Sequence, residues 1–309
     1  MNQQGAYVLQ NLLNIVQLAC FYMPLAAAFA LIQAITRRVF LSFGDLAMFG
    51  SFAAVYICFG RLLQGDSDLT AALISLAAAM ICSGALGVAS ARFIFAPLIK
   101  GSSLSFMIAA LGFSISIQEV MRLTSDSRDI WVPPLFSRQT IKLVETPYPV
   151  NLTFTSLLAA AVSVCSLVAL GLLLKRTQFG RMWQACAQNE ILARLCGVNT
   201  SRVIETTFVV GAALAAVSGW TSAISYGGTN FFVGVMLGFK AMFAAVIGGF
   251  GSVRGAIIGA ACLAVLEVIW SANFGTSYRD AGVFGIIIFV LLLKPEGLGG
   301  NAEHRESEI

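Results

Sequence analysis

This sequence predicts an all-α, polytopic integral membrane protein, and three observations carry the prediction. Of its 309 residues, 58% are hydrophobic and only 11% charged, with a mean hydropathy of +0.85; a soluble domain carries about a quarter charged residues. The apolar residues gather into seven or eight runs, each near the roughly 20 residues that a helix needs to cross a bilayer. The runs are continuous and do not alternate with period two, which favours helices over a barrel.

About eight transmembrane helices are expected, at 12–35, 39–60, 69–91, 102–121, 153–174, 203–226, 237–272 (interrupted) and 278–293, in two related halves of one unit covering 1–309. The N-terminal MNQQGAYVLQN lacks the basic region of a cleaved signal peptide, so the first run is expected to be retained. The connections assign Arg37, Arg38, Arg92, Lys100, Lys175, Arg176, Arg181, Arg194, Arg202, Arg254, Lys294 and Arg305 to one side. Arg61, Arg122, Arg128, Arg138, Lys142 and Arg279 fall on the other. The richer set marks the cytoplasm, which puts the N-terminus outside and the C-terminus inside. The loop 122–152 is then the longest external connection. Its Pro133, Pro134, Pro147 and Pro149 make it a stiff, non-helical surface loop, either a docking surface for an extracytoplasmic partner or a connector lying on the headgroups.

The run 237–272 is too long for one straight span, and Gly248-Gly249-Phe250-Gly251-Ser252-Val253-Arg254-Gly255 lies at its centre. Glycines let the backbone turn, so two shorter helices joined by a turn are expected. Gly251, Gly255 and Gly259 recur at four-residue spacing, a surface for close helix approach. Gly44-Asp45-Leu46-Ala47-Met48-Phe49 is echoed by Gly238-Phe239-Lys240-Ala241-Met242-Phe243, and paired interruptions of this kind point to a transport pathway. Gly44, Asp45, Lys240, Gly248, Gly249, Gly251 and Ser252 are therefore the pathway candidates. Asp45 and Lys240 are the two ionisable residues most clearly embedded in apolar context, and buried charges tend to pair, so an Asp45–Lys240 ion pair is expected. Glu119, Glu205 and Glu267 read as structural residues near helix ends.

No catalytic constellation is present: the single histidine, His304, is in the polar tail, and hydrolase, zinc-protease and phosphate-loop motifs are absent. The seven cysteines are scattered, without metal-ligand spacing. Neither a cofactor nor a nucleic-acid partner is expected on this chain.

A polar island from Lys175 to Arg202 interrupts the apolar pattern. Met182, Ala185, Cys186, Asn189, Ala193 and Cys196 make a stripe of mostly small residues at helical spacing, Gly197 is a helix-ending glycine, and Asn199, Thr200 and Ser201 offer caps for the next span. A short helix with such a face fits a groove on a partner better than a lipid surface, which favours bulky side chains such as Trp183 and Leu192.

Several stretches together resemble the permease subunits of branched-chain amino acid ABC transporters (LivH/LivM type). They are Leu41-Ser42-Phe43-Gly44-Asp45, Phe179-Gly180-Arg181 through Ala193 to Gly197-Val198-Asn199, Phe208 to Gly219, Lys240 to Ser252 and Lys294-Pro295-Glu296-Gly297-Leu298. The first looks closer to LivM and the segment 179–219 closer to LivH. The resemblance implies a multi-pass protein of the bacterial inner membrane in an importer with a second, paralogous permease. Cytoplasmic ATPase subunits would carry the ATP and magnesium, and a periplasmic substrate-binding protein would deliver a branched-chain amino acid. Related systems handle urea and amides. The island, 176–200, becomes a coupling segment to the ATPase through Gly180, Arg181, Trp183, Gln184, Asn189, Ala193, Arg194 and Gly197. An ion-coupled secondary transporter accounts for the hydropathy equally well, but it would want more intramembrane acids and leaves the island without a role.

Overall fold

The computed structural model describes residues 3–40, 42–98, 101–132, 140–144, 150–249 and 251–293. Leu41, Lys100, Pro133, Pro134, Arg138, Pro147, Pro149, Phe250, the closing motif from Lys294 to Leu298, His304 and Arg305 lie outside the described residues. The helices are α1 (Gln3–Thr36), α2 (Phe43–Leu63), α3 (Asp68–Ala89, continued by a π-helical turn at Ser90–Phe95), α4 (Ser103–Thr124) and α5 (Phe154–Arg176). Two short helices follow, α6 (Gln178–Gln188) and α7 (Glu190–Leu195), then α8 (Thr200–Tyr226), α9 (Val233–Gly248), α10 (Val253–Phe274) and α11 (Arg279–Leu293). Among the described residues four short strands join them: β1 (Ile130–Trp131) pairs antiparallel with β4 (Gly228–Thr229), and β2 (Thr140–Val144) with β3 (Val150–Thr153). Of the connection 122–152, residues 122–124 finish α4; its remaining described residues are non-helical as expected but include strand pairing, and β1 is tied back to the α8–α9 connection.

Among the described residues, seven helices, α1–α5, α8 and α10, are long and apolar enough to cross a membrane. The seventh predicted span, the interrupted run 237–272, divides the expected way: α9 has 16 residues, about 24 Å at 1.5 Å per residue, short of the roughly 30 Å hydrocarbon core. The centre of the bundle is α1 with α8, whose apolar stretches are 72% and 78% buried, while α4 and α5 at 22% and 17% lie on the periphery.

Lipid offers no hydrophobic reward for joining helices, so association depends on close backbone approach and internal hydrogen bonds. Both are present. A Cβ on Gly219 would overlap the Ala47 carbonyl, and one on Gly44 would overlap the Gly234 carbonyl. Buried hydroxyls reach across helices to carbonyls: Ser218 donates to Phe21 at 2.7 Å, and Ser83 lies 3.0 Å from the Leu46 and Ala212 oxygens. At the α1–α2 elbow, Phe40 packs edge-on against Phe95 (centroids 4.6 Å apart) and Phe208 (5.5 Å), geometries that suit the ring quadrupole.

The α9–α10 hairpin turns on Gly249 (φ 95°) and Gly251 (φ 82°), both in the left-handed region that glycine enters without strain. Ser252 caps α10, its Oγ accepting from the Gly255 N–H at 3.1 Å. The glycine stripe is shifted from the expected one. Gly248, Gly255 and Gly259 make the close contacts, against Gly255, Gly248 and Ala244, whereas Gly251 has no neighbour within reach of a Cβ. Its place in the turn carries it off the helix face. Gly255→Leu is therefore expected to cost the folded state at least about 2 kcal/mol through overpacking. Gly112→Ala, where a Cβ meets open space, should be neutral. Unfolding midpoints in denaturing detergent check both.

Candidate functional site

The two halves of the sequence echo touch. α2 and α9 cross at Gly44 and Gly238, and the Asp45 carboxylate lies against the start of α9, with Oδ1 2.7 Å from where a Gly234 Cβ would stand. Free N–H groups in a first helical turn favour an anion, and Asp45 Oδ1 also accepts from Gln118 Nε2 at 3.0 Å. The helices meet as the echo suggested. The side chains do not pair as expected.

Lys240 points away from Asp45. Its Nζ lies 2.9 Å from Glu267 Oε1 and 3.2 Å from Asp280 Oδ1, and donates to the Tyr22 hydroxyl at 3.0 Å. Tyr22 in turn donates to Glu267 Oε2 at 3.0 Å. Glu267 Oε1 meets Lys240 as an ionic contact outside hydrogen-bonding geometry. Arg279 Nε closes the group, 3.5 Å from Asp280 Oδ1 and 3.7 Å from Glu267 Oε2. The Asp45–Lys240 pair is thus replaced by a network uniting α1, α9, α10 and α11. The reason is rotational: Gly238 faces α2 across the glycine contact, and two residues on, about 200° around the helix, Lys240 faces the other way. Glu267 is not a helix-end residue either. It is fully buried, and its signal was its setting within Leu263-Ala264-Val265-Leu266-Glu267-Val268-Ile269, as apolar as that of Lys240.

This network forms one wall of a cavity of about 440 Å³. Phe21, Trp131, Val233, Met236 and Leu237 give it an apolar side, and Asp129, Asn230, Lys240, Arg279 and Asp280 a polar one. A second cavity of about 420 Å³ shares Phe21, Tyr226 and Arg279 with it and runs along Asn11, Asn14 and Gln17 of α1. The β1–β4 ladder brings Asp129 and Trp131 to the first cavity, with Val132 N–H bonded to the Gly227 carbonyl at 2.9 Å.

The polar island is two helices, not one. Asn189 ends α6 and caps α7, its Oδ1 accepting from Ile191 N (3.0 Å) and Leu192 N (3.1 Å). Gly197 ends α7 at φ 82°, and Asn199 caps α8. The small-residue stripe turns inward only in part: its Cys186 and Ala193 are buried, as are Gly180 and Trp183 beside them, whereas Met182, Asn189 and Cys196 are exposed. Gly180 is pressed on the Leu174 backbone, and Trp183 Nε1 donates to the Leu31 carbonyl of α1 at 3.3 Å. Arg37 adds a second tie to α1, donating to the Gln188 carbonyl at 2.8 Å. Arg181, Gln184 and Arg194 are exposed, Arg194 pairing with Glu190. Ile191 and Leu195, 72% and 78% exposed, form with Leu192 the outward apolar face.

A bundle of this kind, with short helices meeting broken ends and charges buried near its centre, defines a polytopic membrane transport protein. The chain belongs to the family described as branched-chain amino acid transport system / permease component, whose model matches residues 11–293. It is 34% identical to the high-affinity branched-chain amino acid transport system permease protein LivH of Salmonella typhimurium, over 98% of this chain and 99% of that one. It is 32% identical to BraD, the corresponding permease protein of Pseudomonas aeruginosa, over 96% and 97% of the two chains. Similarity to the LivM permease protein of Salmonella typhimurium, 31% identical, extends over 47% of this chain and 34% of that protein. The similarity to LivH and BraD thus runs along nearly the whole chain, and that to LivM along about half of it.

Removing one partner of a buried charge pair costs about 3–5 kcal/mol, so Lys240→Met and Glu267→Gln are each expected to lower folded yield sharply and the double variant to recover part of the loss. Exchanging the residues at 45 and 240 (Asp45→Lys with Lys240→Asp) should rescue nothing. A double-mutant cycle on unfolding in detergent measures both.

Proposed function

We propose that this chain is the LivH-type permease subunit of an ATP-driven importer for branched-chain amino acids. Its 34% identity with LivH of Salmonella typhimurium, a high-affinity branched-chain amino acid transport system permease protein, over 98% of this chain and 99% of that one is the observation that carries the reading. A second permease of the LivM kind completes the pathway, a periplasmic binding protein delivers the amino acid, and two cytoplasmic ATPase subunits supply the energy. The chain is one permease domain, 1–309, in a bacterial inner membrane. Its N-terminus is outside, 122–152 forms the external loop, and the C-terminus is inside. ATP and magnesium belong to the partner subunits.

The segment 176–200 is the coupling element. Gly180, Trp183 and Ala193 seat it on α1 and α5, Asn189 and Gly197 shape its two bends, and Arg181, Gln184, Arg194, Ile191, Leu192 and Leu195 meet the ATPase. A groove that takes Ile191 and Leu195 gains about 25 cal/mol for each Å² of apolar surface covered, which supports a protein partner over a solvated connector.

In a leucine auxotroph whose other leucine importers are deleted, the assembled system should restore uptake that persists when ion gradients are collapsed and stops when ATP is depleted; the reverse pattern means a secondary transporter. Ile191→Asp with Leu195→Asp should leave the protein inserted and reduce uptake at least about tenfold, as expected for loss of apolar anchors worth about 1.4 kcal/mol or more together. Wild-type uptake in that variant removes the segment from the mechanism. For orientation, a membrane-impermeant maleimide should modify exposed Cys196 in inverted vesicles and not in right-side-out ones. Cys186 should resist in both, because burial pushes its thiol up and leaves less reactive thiolate.

A further inference from the structure

We propose that the cavity between Lys240 and Trp131 binds the free amino acid as a zwitterion, with Arg279 holding the carboxylate and Asp129 the ammonium. The inference rests on the permease reading and adds to it a substrate site within this chain. At about 440 Å³ the cavity falls within the roughly 300–1,000 Å³ of small-molecule sites, and its apolar wall with a few convergent polar groups matches their usual make-up.

Arg279 is the feature that calls for a ligand. Its Nε is held by Asp280 and Glu267, yet its two terminal nitrogens make no hydrogen bond among the described residues. The side chain is 30% exposed and lines both cavities. A guanidinium fork fixed at one end and open at the other suits bidentate capture of a carboxylate. Asp129 is exposed, has no hydrogen bond or ion pair among the described residues, and lines the same cavity. It is an acceptor for an ammonium group. Phe21, Val233, Met236 and Leu237 offer the contact that a branched aliphatic side chain needs.

Within the buried network Lys240 and Arg279 offset Glu267 and Asp280, and Asp129 lines the cavity as a further, exposed carboxylate. A zwitterion meets both ends, its carboxylate at the Arg279 fork and its ammonium at Asp129, whereas an anion would leave Asp129 without a partner and a cation would leave the fork without one. The network also keeps Arg279 in place: Glu267 and Asp280, shared between Lys240 and Arg279, hold the guanidinium at Nε and leave its terminal edge free of hydrogen bonds among the described residues.

The test uses the assembled transporter in nanodiscs without the binding protein, carrying Ser222→Cys, a near-isosteric probe on the cavity wall. Saturating L-leucine should slow maleimide labelling of that thiol about tenfold. Leucinol, which lacks the carboxylate, and 4-methylpentanoate, which lacks the ammonium, should not. Adding Asp129→Asn should abolish protection. Arg279→Lys keeps the charge that the network needs but loses the fork, and should weaken protection by about tenfold or more. Leucine uptake without protection, or equal protection by leucinol, overturns the site and leaves the permease reading standing. Absence of uptake by the unmodified assembled system overturns the permease reading, whatever the labelling shows.

Discussion

Lys240 is a cation inside an apolar bundle, and four helices are arranged around its neutralisation. A charge placed there alone costs several kcal/mol, so Tyr22, Glu267 and Asp280 must arrive from α1, α10 and α11 in one register. That requirement sets much else. It fixes how α9 and α10 fold back on each other, because the two partners lie on opposite arms of the hairpin. It also fixes the rotation of α1, because Tyr22 bridges Lys240 and Glu267. The glycine contacts at Gly248, Gly255 and Gly259 bring the arms close enough for the bridge to form.

The same constraint explains why the polar groups are grouped. In hydrocarbon every donor and acceptor must find a partner inside the protein, and gathering charges into one network satisfies several at once. The cavity is placed where that network meets the α8–α9 and α10–α11 connections. Its polar side comes from charges needed for cohesion, and its apolar side from helix faces that would otherwise meet lipid. Cohesion and recognition thus draw on the same residues, and a substitution at Lys240 disturbs both.

Much of this was legible in the sequence. Spans follow from hydropathy because length and apolarity are local properties, and the break at Gly249–Ser252 follows because left-handed backbone calls for glycine. The ends of the polar island were legible too: Gly197 stops α7 and Asn199 caps α8. What escaped was direction. The stripe through Cys186 and Ala193 was visible as a period, but a period does not say whether a face turns to a partner or to the chain's own core, and Trp183 turned inward to α1. Lys240 was recognised as embedded, yet its partner depended on a rotation of about 200° between Gly238 and itself, which only the packing of α9 sets. Glu267 was assigned to a helix end, although its flanking residues are as apolar as those of Lys240.

The elbow after α1 carries a mechanical consequence. Arg37 holds the carbonyl end of α6, and its neighbour Arg38 reaches the opposite way, to the Leu98, Gly101 and Ser102 carbonyls before α4. Two segments far apart in the chain are thereby fastened to adjacent residues, one of them, Arg37, already at φ 49°. Such a joint acts as a bell crank: a pull on α6 either breaks the Arg37 bonds or turns the elbow, and turning the elbow swings the start of α4. A push on the short helices therefore leaves them by two routes at once, along α1 towards Tyr22 and sideways into the lipid-facing helices.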